Sequence, residues 1–166
     1  KGYGVTKDYL KAIDYFERSA KLNNPDAFYN LGILYENGLG VKQSYSKAIQ
    51  YYSESAKLGN SEAMWMLGVC YDNGLGVEQD YKKAVEYYSK SANLGNSDAL
   101  NCLAYCYENG NGVEQDYKKA VELYQKSIDK GNSVALNCLG CCYENGNGVE
   151  KNYLKAINCY KKAAEL

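Results

Sequence analysis

The sequence predicts an all-α solenoid of antiparallel helix pairs, on three observations. A Gly-x-Gly-Val string starts at Gly2, Gly38, Gly74, Gly110 and Gly146, so it returns every 36 residues with no insertion. Between strings, apolar residues recur at helical spacing in two separate runs. Each run starts after a residue that can cap a helix and stops near a glycine. A period of this length marks a stacked array rather than a fold around one closed core.

The units read as 23–58, 59–94, 95–130 and 131–166, preceded by a half unit, 1–22, and together they form a single repeat domain, 1–166. Because the first residue falls inside a repeat, the chain is expected to be a segment of a longer protein. Unit 59–94 shows the logic. Asn60 is placed to cap the first helix, and the equivalent Asn24 precedes Pro25, which suits a first helical position. Ala63, Leu67, Gly68 and Tyr71 form the inward stripe, and Asn73-Gly74 ends the helix, the glycine in a left-handed conformation. Asp80 caps the second helix, with counterparts Asp8, Ser44, Asp116 and Asn152. Tyr81, Ala84, Val85, Tyr88 and Ala92 form its stripe, and Gly59, Gly95 and Gly131 end the second helices. Small residues at Gly68 and Ala84 are expected to let the paired helices approach closely.

The Gly-x-Gly strings therefore read as helix stops at both ends of an interhelical loop. A dinucleotide fingerprint needs a preceding strand and a third glycine, and Gln115 stands in that third position. A phosphate loop needs Gly-Lys-Ser/Thr, and a hairpin needs alternating flanks; neither is present.

The pattern Ala-x-x-x-Leu-Gly-x-x-Tyr-x-x-Gly-x-Gly-Val-x-x-Asp-Tyr-x-Lys-Ala, carried by Ala63 to Ala84 and repeated in the other units, resembles the SEL-one-like repeat family, a branch of the tetratricopeptide superfamily. The resemblance covers essentially the whole chain. It implies a right-handed α/α superhelix, and adaptor or scaffold roles in signalling, protein quality control, cell-wall regulation or host–microbe contact. One cysteine-rich branch of that family carries a disulfide in each repeat. Here Ser55-Ala56, Ser91-Ala92 and Ser127-Ile128 hold one of its two cysteine places, so neither those disulfides nor that branch's activity carries over.

In the fold so implied, the first helices line a concave groove. Its expected residues are Asp26, Tyr29, Ile33 and Glu36; Glu62, Trp65, Val69 and Asp72; Asp98, Asn101, Tyr105 and Glu108; and Asn137, Cys141 and Glu144, with Val134 in register. Stacked helices lie about 8–10 Å apart, so each column becomes a ladder. Glu36, Asp72, Glu108 and Glu144 form an acidic one beside Tyr29, Trp65 and Tyr105. Aromatic anchors with an acidic rim suit a protein or peptide carrying basic residues. On this reading, Trp65→Ala and charge reversal at Glu108 each weaken partner binding without unfolding the array.

Other classes fare worse. A net charge of −1 gives no drive toward phosphate backbones, and the lysine column Lys11, Lys47, Lys83, Lys119 and Lys155 is interleaved with carboxylates such as Glu86 and Glu122, so nucleic acid is not expected. No apolar run approaches the roughly 18 residues of a membrane span. With no histidine, His-based catalysis is unavailable, and the carboxylates repeat rather than converge, so no enzyme and no cofactor are expected. Of the seven cysteines, Cys70, Cys106 and Cys142 align with Leu34, and Cys102 and Cys138 align with Asn30 and Met66, which marks packing rather than metal ligation. An odd cysteine count and the lack of Asn-x-Ser/Thr point to a reducing, cytoplasmic setting. The reading is thus a scaffold that binds a protein or peptide. The alternative is a structural or self-assembly segment with no peptide groove in use. Tyr153, Ala156, Ile157, Tyr160 and Ala164 lie on the stripe that other units cover with the next helix, so this end is expected to pair with another copy or to continue into further chain.

Overall fold

In a computed structural model, residues 8–165 are described. They form nine α-helices and no strand: α1 (Tyr9–Ala20), α2 (Pro25–Asn37), α3 (Tyr45–Lys57), α4 (Ser61–Asn73), α5 (Tyr81–Asn93), α6 (Ser97–Asn109), α7 (Tyr117–Asp129), α8 (Val134–Asn145) and α9 (Tyr153–Ala164). The first glycine string, at Gly2, lies outside the described residues. None of the described helices is long and apolar enough to cross a membrane. The chain divides into two compact units, residues 1–79 and 80–166. In unit 1 the pair α2/α3 packs between α1 and α4; in unit 2 α5 leads into the pairs α6/α7 and α8/α9.

Local chemistry sets the helix ends. Asn60 Oδ1 accepts from Ala63 N at 2.8 Å, Asp116 Oδ1 from Lys119 N at 3.0 Å, and Asp8, Ser44, Asp80 and Asn152 act alike. Gly38, Gly74, Gly110 and Gly146 take the left-handed conformation at the ends of first helices. The remaining carbonyls of those ends are satisfied from the loop. Gln115 Nε2 donates to Glu108 O at 2.7 Å, and Asn109 Nδ2 donates to Tyr105 O at 2.9 Å. Asp116 N donates to Tyr107 O at 2.8 Å.

Among the described residues, the second glycine of each string is not a helix stop. Gly112 has φ +72°, and a Cβ there would overlap the Tyr81 carbonyl at the start of α5; Gly76 would place one 2.6 Å from Tyr45 Cβ. This glycine lets the loop lie directly on the first turn of the preceding second helix, a contact only a residue without a side chain permits.

The cores follow the predicted stripes, with two differences. Tyr81 is 39% exposed rather than buried, because it is the first residue of α5 and its side chain leans past the helix end. Ser55, Ser91 and Ser127, which a reading by hydrophobicity skips, are fully buried. Ser55 Oγ donates to Pro25 O and Ser127 Oγ donates to Ser97 O, both at 2.7 Å, so each stitches the end of a second helix to the start of its partner.

Candidate functional site

The candidate faces are built by first helices, one face in each unit. In unit 1, α2 places Asp26 on the surface and Tyr29, Ile33 and Glu36 half-buried; α4 places Glu62 on the surface and Trp65, Val69 and Asp72 half-buried. In unit 2, α6 exposes Asp98 and Tyr105 and half-buries Asn101 and Glu108, while α8 exposes Val134, Asn137, Cys141 and Glu144. Tyr105 is 52% and Val134 58% open to solvent. Trp65 Nε1 and Asn101 Oδ1 are buried there without a hydrogen-bond partner.

The acidic column does more than rim this face. Tyr124 Oη donates to Glu108 Oε2 at 2.7 Å and Tyr160 Oη to Glu144 Oε2 at 2.8 Å; Tyr52 donates likewise to Glu36. Tyr52 and Tyr124 are fully buried on second helices, so these bonds run through the helix pair and fix the carboxylates from behind. Burial, then the hydrogen bond to glutamate, raises the hydroxyl pKa of both, so they remain donors at alkaline pH where an ordinary phenol ionises. At the other end of the face, Asn60 Nδ2 donates to Asp26 Oδ1 and Asn132 Nδ2 to Asp98 Oδ1, both at 2.9 Å. One asparagine thus caps its own helix and holds an aspartate of the previous repeat.

The small residue of the first-helix stripe serves the same tyrosines. Gly68 and Ala84 belong to different units, but within each unit the counterpart glycines face a ring. A Cβ on Gly140 would lie 2.5 Å from Tyr160 Cε1, and one on Gly32 would overlap Tyr52. The lysine column has a partner too: Lys47, Lys119 and Lys155 lie 4.9, 4.2 and 5.2 Å from the ring centres of Tyr35, Tyr107 and Tyr143.

None of the seven cysteines is in a disulfide. Cys70, Cys106, Cys142 and Cys159 are buried and Cys141 is exposed. Cys138-Leu139-Gly140-Cys141 is a Cys-x-x-Cys spacing, which alignment of the cysteines by column does not bring out. Among the described residues, no group of three or more Cys, Asp or Glu is placed to hold a metal ion.

Residues 1–24, 25–60, 61–96, 97–132 and 133–166 each match the Sel1 repeat. The chain belongs to the Sel1 repeat family. It is similar to a Sel1 repeat protein from Oxalobacter formigenes, at 34% identity and a TM-score of 0.91, over 99% of this chain and 67% of that one. It is also similar to c5321, a protective antigen of uropathogenic Escherichia coli strains displaying an SLR fold, at 33% identity and a TM-score of 0.89, over 99% of this chain and 35% of that one. Among curated proteins it resembles the ERAD-associated E3 ubiquitin-protein ligase component HRD3B of Arabidopsis thaliana, 54% identical over 39 residues, which span 23% of this chain and 6% of that protein. Sel1 repeats are tetratricopeptide-like helical modules that generally mediate protein–protein interaction and are generally non-catalytic.

Proposed function

We propose that this Sel1 chain is a scaffold whose first-helix face holds an extended or helical peptide with basic residues. The observation that supports this most is the setting of Tyr105. Its half-open ring lies on α6 between Asp98 and Glu108, and both carboxylates are already fixed by Asn132 and Tyr124. In unit 1, α2 repeats the arrangement, with Tyr29 and Ile33 between Asp26, held by Asn60, and Glu36, held by Tyr52. Charges and rings fixed in advance lose little entropy when a partner arrives, which is where binding surfaces gain affinity. An aromatic anchor between carboxylates suits an apolar side chain flanked by Lys or Arg.

A peptide array probed with the chain tests the reading. Binding should favour basic peptides with an apolar anchor, weaken as salt rises, and drop about tenfold in Tyr105→Ala, on the scale of a lost aromatic anchor. Affinity for the same peptides unchanged from the wild type in both Tyr105→Ala and Trp65→Ala would reject it. The alternative, self-association, is favoured by α9, where Tyr153, Leu154 and Ile157 are 57%, 81% and 49% exposed. Sedimentation showing an oligomer that Ile157→Glu dissociates, with no peptide bound, would favour assembly instead.

A further inference from the structure

Every first helix carries a tyrosine where Tyr35 stands, and the partner groove differs between repeats in what covers it. In unit 1 the groove between second helices α1 and α3 is floored by Phe28 and Leu31 and filled by Tyr51, which stacks on Tyr35 at 5.3 Å with the rings 22° apart. The Tyr51 ring divides the space into two cavities, about 290 Å³ beside Glu17 and Lys21 and about 510 Å³ beside Lys47 and Glu54. In unit 2 the equivalent groove lies between α7 and α9. Leu136 and Leu139 floor it, Tyr143 stands where Tyr35 does, and Cys159 stands in place of Tyr51. The cavity there is about 560 Å³, within the range of small-molecule sites. Lys155 covers Tyr143 as Lys47 covers Tyr35, so the missing element is the stacked ring. The rim differs by one carboxylate as well: Lys162 and Glu165 stand where unit 1 has Glu54 and Lys57, and uncharged Gln125 stands where it has Glu17.

We infer that the α7–α9 groove of unit 2 is a binding pocket for an aromatic carboxylate, whose ring stacks on Tyr143 in the space Tyr51 fills in unit 1 and whose carboxylate meets Lys162 and Lys155 at the mouth. The floor of Ile128, Leu136 and Cys159 is apolar and largely buried, so the ring is desolvated on entry. Two ammonium groups against the single carboxylate of Glu165 leave the rim net positive, which selects the anion. This pocket lies between second helices over the Leu136, Leu139 and Tyr143 side of α8, and shares no residue with the first-helix face proposed above.

The probe is 4-hydroxyphenylacetate, a tyrosine side chain bearing a carboxylate, with p-cresol as its uncharged counterpart. Titration into the full chain, followed by amide shifts in ¹H–¹⁵N spectra, should perturb residues of α7, α8 and α9 saturably, with a Kd on the order of a few millimolar for a ligand this small. Cys159→Tyr restores the ring of Tyr51 and Tyr87, and should weaken binding at least about tenfold while keeping the folded spectrum. Should that variant misfold, Cys159→Leu, the residue at Leu123, makes the same test. Lys162→Glu should weaken 4-hydroxyphenylacetate about tenfold and p-cresol by less than about twofold. No saturable shifts in the wild type, or unchanged affinity in folded Cys159→Tyr, overturns the assignment of the pocket. Equal loss of both probes in Lys162→Glu overturns its preference for an anion.

Discussion

The hydroxyl of Tyr124 donates to Oε2 of Glu108 at 2.7 Å, between residues sixteen apart in sequence. The ring is fully buried in α7, and the carboxylate lies on the exposed side of α6. A single bond therefore links the interior of a helix pair to the face proposed for partners. The thiol of Cys142 reaches the other oxygen, Oε1, at 4.0 Å.

That link makes Glu108 part of the fold as well as of the surface. Tyr124→Phe removes the donor and should lower the unfolding free energy by about 1–2 kcal/mol. Glu108→Ala leaves a buried hydroxyl unpaired and should lower it by about 2–3 kcal/mol. The double variant should fall short of the sum by about 1 kcal/mol. Urea titrations of the four proteins measure this, and additive effects would show that the two groups do not act as a pair. Charge reversal at Glu108 should destabilise too, so reduced partner binding in that variant needs correction for the folded fraction.

The second glycine of the string predicts a contrast between two loops. Gly131 has φ +90°, and a methyl added there would meet nothing within 4 Å, so Gly131→Ala carries only the left-handed backbone penalty, about 1–2 kcal/mol. Gly112 has φ +72° and faces the Tyr81 carbonyl, so Gly112→Ala adds a backbone overlap to the same penalty. It should destabilise by at least about 2 kcal/mol more than Gly131→Ala, in line with forced overpacking. Equal melting temperatures for the two variants would contradict the close approach of loop and helix.

Gly140 should tolerate less change in shape than in volume. Ala104 occupies the same column in the previous repeat while Tyr124 stays buried and bonded to Glu108. The ring beside this column can therefore adjust to one methyl. For Gly140→Ala the helix propensity gain of about 1 kcal/mol offsets much of an overpacking loss of about 1–3 kcal/mol. The variant should melt close to the wild type. Gly140→Val brings a branched side chain against Tyr160 without a comparable gain, and should lose about 2 kcal/mol or more. Thermal melts that rank Val above Ala would refute the packing argument.

What the sequence made legible was the chemistry that closes within a helical turn. Asn60, Asp116 and Gly74 could be assigned as caps because their partners lie within a few residues. The links that shape the candidate face span greater distances. Tyr124 to Glu108 is sixteen residues, Ser127 to Ser97 is thirty, and Asn132 to Asp98 is thirty-four. Their signal was present as paired columns at constant offset, such as Tyr52 with Glu36 and Tyr160 with Glu144, yet neither column alone says that the two touch. Ser127 was hidden for another reason: a hydroxyl scores as polar until a carbonyl is found to receive it. The role of Gly112 depends on the preceding repeat, which no reading of its own loop supplies. The filled and emptied grooves needed the third dimension, since Tyr51 and Cys159 differ in sequence without saying what each covers.

The thiols and phenols predict how stability depends on alkaline pH. Burial first, and a neighbouring glutamate second, push Cys70 and Cys142 up to about 12 from an ordinary 9.0. Tyr52 and Tyr124 are likewise raised above an ordinary 10.0. Between pH 9 and about 12 the unfolded chain has released thiol protons that the folded chain still holds. Folding then binds protons, so the stability these groups contribute is fully present below pH 9 and is lost as pH climbs toward about 12. The melting temperature should change little from pH 7 to about 8.5 on account of these groups and then fall with increasing slope. Cys142→Ala should make that slope shallower. In the folded chain at neutral pH, iodoacetamide should label exposed Cys141 and spare Cys70 and Cys142, with urea releasing both to reaction. Labelling of Cys142 as fast as Cys141 without denaturant, or an alkaline slope unchanged in Cys142→Ala, would show that the thiol is not held behind the Tyr124–Glu108 link.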